Sequence, residues 1–288
     1  HRAMDIAQQI HYDYPEYFWF TGDVSVNYQV LGNSYAGDLS FSYSCDPAAM
    51  AAGKKDLENA SAEILSSLSG ESEYEKVKGV YEYLINNSSY DINVKDQTSY
   101  SLLVNRSGVC AGYAGAMKYL LDRLNVDCMI ASGKSKGEDH VWNLVRIGGC
   151  WYQVDPTWGD PVTGSDFQTI SYDYLLLDDE EMFLDHQYDS GVVYPNCSTE
   201  ESNFYRREGL YLESCDYTEL SGMMKSCIEN GRDFIFKCAD TNLYFEVCNY
   251  LFEREQIFSL LRDFGYDIDS INYSTDEMHR TIKIVLAR

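Results

Sequence analysis

DHVWNLVRIGGCWYQVD, residues 139–155, is the stretch on which the fold turns. Apolar and polar residues alternate on both sides of Gly148-Gly149, the period-two pattern of two strands joined by a two-residue turn. With both glycines in the turn, Ile147 faces Cys150, Trp142 faces Asp155 and His140 faces Thr157. His140 and Asp155 then lie on one face as diagonal neighbours, roughly 7–8 Å apart at the backbone. A one-residue slip would send them to opposite faces. A carboxylate so placed accepts a hydrogen bond from the imidazole and fixes its tautomer, leaving the other ring nitrogen to pair with a nucleophile. Taken singly, His140 reads equally as a solvated strand histidine, and Asp155 as a turn-initiating residue before Pro156.

The nucleophile that this hairpin invites stands upstream, in GVCAGYAGAMKYLL, residues 108–121. Gly108 suits a turn, and helical periodicity begins after Cys110, with Met117, Leu120, Leu121 and Leu124 on the inward face. The thiol therefore sits at a helix N-terminus, where the partial positive charge favours thiolate. Ala111, Gly112, Ala114 and Gly115 lack bulk, so other backbone can pack close and leave space above the sulfur. A buried structural cysteine on a small-residue face is the competing reading. A thiolate–imidazolium pair of Cys110 and His140, steadied by Asp155, would be an activated nucleophile.

Outward from this centre the chain divides into three parts. Residues 1–50 read as a strand-rich segment, from VSVNYQV and LSFSY with turn chemistry at Gly32, Asn33 and Gly37. Residues 51–195 read as the core. One of its helices carries Leu57, Ala60, Ile64, Leu65 and Leu68, and another opens on a capping box of Ser72 and Glu75. Residues 196–288 read as a small α/β unit: strands at LYLES, FIFKC and TIKIVLA, and helices carrying Leu220, Met223, Met224, Cys227 and Ile228 and then Ile257, Leu260, Leu261 and Phe264. The fold class is α+β.

GVCAGYAGAMKYLLDRL followed by DHVWNLVRIGGCWYQVDPTWGDP resembles the transglutaminase-like superfamily. The motif has three parts: Cys before a Gly-Tyr-Ala helix, His before a Trp-Asn strand, and Asp before a Pro-Thr-Trp turn. The resemblance covers about residues 74 to 178, and PEYFWF and Tyr90-Asp91 add to it. It implies a papain-like core, with the nucleophile helix packed on an antiparallel sheet. It implies Cys110 as nucleophile, His140 as general acid/base and Asp155 as the residue orienting His140. The backbone N–H of Cys110 would serve the oxyanion hole. Gln97 is the candidate for a second donor and reads equally as a solvated loop glutamine. Trp142 and Trp158 flank the triad and would either wall the cleft or pack. The implied activity is a cysteine hydrolase, a peptidase or amidase acting on peptide or protein amides through a thioester. The alternatives are a protein-glutamine acyltransferase and a catalytically idle binding or assembly module. Such proteins are common in bacteria, which points to an extracellular or cell-surface location, with a cytoplasmic one still open.

Composition narrows the partners. The chain has 288 residues, 45 % hydrophobic and 24 % charged, the balance of a protein that buries a core. Its net charge of −24 repels nucleic acid and anionic lipid. No apolar run of about 18 residues exists to span a membrane. A peptide or protein substrate is the expected partner. The chain begins at His1, and a signal removed upstream is the corresponding expectation. Nine cysteines without a CxxC pair point away from a disulfide framework or zinc knuckle. Cys128, Cys150, Cys215, Cys227, Cys238 and Cys248 read as small core residues. His186 and His279 have no sequence company suggesting a metal, and no Walker loop, GxGxxG or EF-hand loop suggests a cofactor. No cofactor and no metal are therefore expected.

Overall fold

The computed structural model describes residues 2–160, 170–214 and 216–285. They form two units, His1–Thr199 and Glu200–Arg288. Ahead of the expected strands the first unit places a helix, α1 (Arg2–Asp13). The alternating segment then forms an antiparallel ribbon of β1 (Phe20–Leu31) and β2 (Ser34–Tyr43). The alternation marks these strands correctly but does not bury them: Val26, Tyr28, Val30, Leu39 and Phe41 are all exposed.

Two helices follow, each started by its own sequence. The Asp46 carboxylate accepts the N–H groups of Ala48 and Ala49, and Pro47 opens α2 (Pro47–Ser67). Ser72 and Glu75 form the expected capping box at the head of α3 (Glu73–Asn87). The buried face of α3 holds Tyr74, Val77, Val80, Tyr81, Leu84 and Ile85. Two short parallel strands, β3 (Ser89–Tyr90) and β4 (Ser107–Gly108), bracket α4 (Ser99–Asn105) and deliver the chain to α5 (Cys110–Arg123).

The small residues of α5 answer to close packing. A Cβ on Gly112 would lie 3.3 Å from the Thr98 carbonyl oxygen, and one on Gly115 would lie 3.5 Å from Ser99 Cβ. Beyond α5 come β5 (Cys128–Ser135), β6 (Glu138–Ile147), β7 (Cys150–Val154), β8 (Leu175–Leu177), α6 (Asp179–Met182) and β9 (His186–Tyr188). The five strands make one antiparallel sheet in the order β8-β7-β6-β5-β9. Gly148 and Gly149 both have positive φ, +60° and +87°, as a tight hairpin turn demands. Ile147 pairs with Cys150 and Asn143 with Val154, the register read from the sequence. α5 lies against this sheet. Buried Asn143 reaches across to donate from Nδ2 to the Ala114 carbonyl at 3.0 Å. The result is an α+β core with the cysteine helix on an antiparallel sheet.

The second unit runs α7 (Phe204–Arg207), β10 (Tyr211–Leu212), α8 (Tyr217–Glu229), β11 (Phe234–Cys238), α9 (Thr241–Cys248), a π-helical stretch over Asn249–Glu253, α10 (Gln256–Asp263), β12 (Asn272–Asp276) and β13 (Thr281–Val285). Its sheet order is β10-β11-β13-β12, around Leu220, Met224, Phe234, Phe236, Leu261 and Ile284, all buried. LYLES yields only two strand residues. The end of TIKIVLA and Cys215 lie outside the described residues.

The eight cysteines among the described residues are all free thiols. Cys128, Cys227 and Cys238 are buried as expected and Cys248 is half-buried, but Cys150 is exposed. Cys150 abuts the two-residue turn, at the exposed end of its strand.

Candidate active site

Three elements converge on one point. α5 begins at Cys110 itself, and its N-cap, Val109, has no side-chain hydrogen bond to offer the first turn. The free N–H groups there point their positive end at whatever the thiol holds. β6 carries His140, and the chain leaving β7 carries Asp155. Nε2 of His140 lies 2.6 Å from Asp155 Oδ2. The carboxylate can only accept, so the ring donates through Nε2. Nδ1 is then left as the nitrogen that faces sulfur, and Cys110 is a hydrogen-bonding neighbour of this ring.

Asp155 is fully buried and its lone pairs are spoken for. Oδ1 accepts the N–H groups of Thr157 at 2.8 Å and Trp158 at 3.2 Å. Oδ2 accepts His140 and also Nε2 of His186, at 3.1 Å. Burial alone would raise its pKa, but the two imidazoles outweigh that and hold it well below the usual carboxylate range. Burial likewise works to lower His140. The Asp155 charge, its hydrogen bond and the Cys110 neighbour overcome this and push His140 up to about 10. The arrangement favours an imidazolium beside the thiol.

The rings around His140 fix its plane. Trp142, fully buried, stacks on it with centroids 6.1 Å apart and 15° between planes. Trp142 Nε1 donates to Gln153 Oε1 at 2.7 Å, and Gln153 Nε2 donates to Asp179 Oδ1 at 2.6 Å. Trp142 thus packs as a buried support. Trp158 is only partly buried, tilts against His140 at 6.4 Å, and has the Lys136 ammonium 3.5 Å from its ring centroid. Gln97 is exposed and borders, with Ala111, Phe18, Phe20 and Tyr100, a cleft of about 740 Å³.

Two features were not anticipated. Tyr12 of α1 packs in the same cluster as Cys110, Ala111 and Val141, so α1 supplies part of the site's wall. The second is His186, set aside in the sequence for want of company. The structure gives it Asp155 on one ring nitrogen and Asp185 on the other. The one available signal was the Asp185-His186 pair heading an HQY alternation. Among the described residues, His140, Asp155 and His186 are the group whose ligand atoms, within 4.8 Å of one another, come close enough to hold a metal ion. As arranged, the Asp155 oxygen that both rings face is already taken up by their hydrogen bonds.

Residues 62–156 match the transglutaminase-like superfamily. Over 144 residues the chain is 30 % identical to the kyphoscoliosis peptidase of Homo sapiens and 28 % identical to that of Mus musculus. Each match covers 43 % of this chain and 21 % of the relative, so the chain spans about a fifth of the length of these curated relatives. Among solved structures, the crystal structure of a TGase is similar with a TM-score of 0.33 and 14 % identity, over 46 % of this chain and 44 % of that one. No helix among the described residues is long and apolar enough to cross a membrane.

Proposed function

We propose, from the premise that the chain belongs to the transglutaminase-like superfamily, that it is a cysteine hydrolase of peptide or protein amides. The observation that carries this reading is the 2.6 Å contact between His140 and a fully buried Asp155, beside a cysteine at the head of a helix. The Cys110 thiolate attacks the amide carbonyl carbon, and the carbonyl π electrons move to oxygen. That oxyanion accepts the backbone N–H of Cys110 at the open helix end. On collapse the C–N bond breaks, and His140 gives its Nδ1 proton to the leaving amine. A water then attacks the thioester carbonyl, with His140 taking its proton; the C–S bond breaks, its electron pair returns to sulfur, and the acid leaves with the Cys110 thiolate and His140 imidazolium restored. Asp155 holds the ring in the tautomer these transfers need. The similarity to proteins named kyphoscoliosis peptidase supports hydrolysis of peptide bonds as the first reaction to test.

The test is the rate of alkylation by iodoacetamide at each thiol against pH, followed by mass spectrometry. Exposed Cys150 supplies the internal standard for an ordinary accessible thiol. Cys110 is expected to react fastest below pH ~7, and to lose that advantage in His140→Ala. A Cys110 no faster than Cys150 overturns the proposal. Peptides offered with a primary amine then separate the chemistries, and free acid is the expected product.

A further inference from the structure

The mechanism above uses one imidazole on Asp155, but the carboxylate holds two. His186 has no solvent exposure of its side chain. Its Nε2 lies 3.1 Å from Asp155 Oδ2, and its Nδ1 lies 2.5 Å from Asp185 Oδ1. Ionised carboxylates only accept hydrogen bonds. A neutral imidazole has one N–H, so one of its lone pairs would be pressed against an oxygen lone pair at hydrogen-bond distance. One more proton, on the ring or on Asp185, would relieve this. Asp185 Oδ2 accepts the Tyr174 hydroxyl at 2.7 Å and lies 3.7 Å from the Lys136 ammonium. Both contacts favour its ionised form, and imidazole is the stronger base of the two by more than two pKa units. The proton therefore belongs to the ring.

We propose that His186 is a positioning residue: a buried imidazolium, clamped between Asp155 and Asp185, that anchors the Asp155 carboxylate and sets the proton affinity of His140 through their shared oxygen. The inference rests on the reading of His140 as the general acid/base. Charge then alternates along the chain of contacts, from Cys110 to His140, Asp155, His186 and Asp185. Burial works to lower the His186 pKa, but hydrogen bonds to Asp155 and Asp185 and their charges raise it overall. The groups facing His186 are Asp155 from the end of β7, Asp185 just ahead of β9, and His140 and Trp142 from β6. Tyr174 lies ahead of β8 with its ring centroid 5.8 Å away. Lys136 acts on His186 through Asp185.

The consequence is a brake. With Asp155 alone, His140 would hold its proton more tightly and surrender it less readily to a leaving amine. A second cation on the same carboxylate weakens that grip. The ring centroids of His140 and His186 are 5.5 Å apart. For a unit charge at that separation and an effective dielectric near 20, removing it raises the His140 pKa by roughly 2 units.

The experiment is nitrogen NMR of the histidine rings in the full chain, titrated against pH, in wild type, His186→Gln and Asp185→Asn. At pH 7 the wild-type His186 is expected to show two protonated ring nitrogens. Asp185→Asn retains a partner for each ring nitrogen, since the amide can donate to Nδ1 and still accept from Tyr174, but it removes the need for a cation. His140 is expected to lose its proton roughly 2 pH units higher in His186→Gln than in wild type, and to rise by less in Asp185→Asn, where the lost Asp185 charge works the other way. A merely structural His186 predicts no rise of the His140 titration in Asp185→Asn. A neutral His186 in wild type at pH 7 overturns the proposal even where a variant fails to fold, and so does an unmoved His140 in a folded variant. Alkylation of wild-type Cys110 tests the underlying reading separately. If Cys110 is activated and His140 does not shift, this inference fails alone.

Discussion

Gly159→Ala should loosen the turn that carries Asp155, and the reason is space. Gly159 follows Trp158 in the Asp-Pro-Thr-Trp-Gly run, and its N–H donates to the Asp155 carbonyl at 3.1 Å. A Cβ at this position would lie 2.0 Å from the Tyr81 hydroxyl oxygen, 2.4 Å from Tyr81 Cζ and 2.8 Å from Ile85 Cδ1. Ordinary contact begins at 3.4 Å, so the hydroxyl must retreat by well over 1 Å. It has nowhere to go, because Tyr81 and Ile85 are fully buried on α3. The hydroxyl also donates to the Ser171 carbonyl at 2.7 Å, a bond the retreat would break. Overpacking costs about 1–3 kcal/mol, and leaving a buried polar group unmatched adds about 1–3 kcal/mol. The variant should therefore lose roughly 2–6 kcal/mol in urea unfolding followed by circular dichroism. Tyr81→Phe removes the nearest atom. Combined with Gly159→Ala it should cost less than the two single changes added together, because both act on one hydroxyl. A Gly159→Ala loss below about 1 kcal/mol, or strict additivity with Tyr81→Phe, would refute the claim that α3 is what shapes this turn.

Two further outcomes follow from the same structure. Ser72→Ala removes the acceptor for the Glu75 N–H at the exposed head of α3. It should cost about 1 kcal/mol in the same unfolding assay and leave the alkylation profile of Cys110 unchanged. The His140–Asp155 pair should make stability depend on pH in a defined window. His140 is raised from 6.5 to about 10, so its contribution is complete below pH 6.5 and lost as pH rises through 10. Asp155 is depressed from 3.8, so its contribution is present above pH 3.8 and lost as pH falls below it. The difference in Tm between wild type and Asp155→Asn should thus be greatest between about pH 4 and 6.5. A difference that stays constant from pH 3 to pH 10 would show that no charge interaction is at stake.

What the sequence made legible was whatever is fixed locally. Two adjacent glycines pin a hairpin, and counting outward from them gives every partner as far as the strands run. That arithmetic placed His140 and Asp155 together because no insertion separates them from the turn. The capping box at Ser72 and the helix at Cys110 were legible for the same reason, since their signals lie within a few residues of what they control. Alternation in residues 20–43 correctly gave the strands but said nothing of what covers them, and their apolar face is exposed. In the second unit, β12 escaped notice because its residues, NYSTD, are all exposed and carry no apolar alternation.

His186 marks the boundary of that arithmetic. It reaches Asp155 by way of β9, which joins the sheet beside β5, at the far edge from β7 and β8. No turn of fixed length connects the two residues, so no count along the chain aligns them. Composition could not help either, because a histidine among Asp and Tyr residues reads as a surface residue until its neighbours are known. Yet the physical demand was present from the start. A buried carboxylate has about four lone-pair sites to fill, and His140 with two turn N–H groups fills only three. A fourth donor had to come from somewhere beyond the hairpin, and an aspartate–histidine pair heading a later strand was the candidate to weigh. Counting unsatisfied acceptors can therefore direct the search for distant partners where periodicity falls silent.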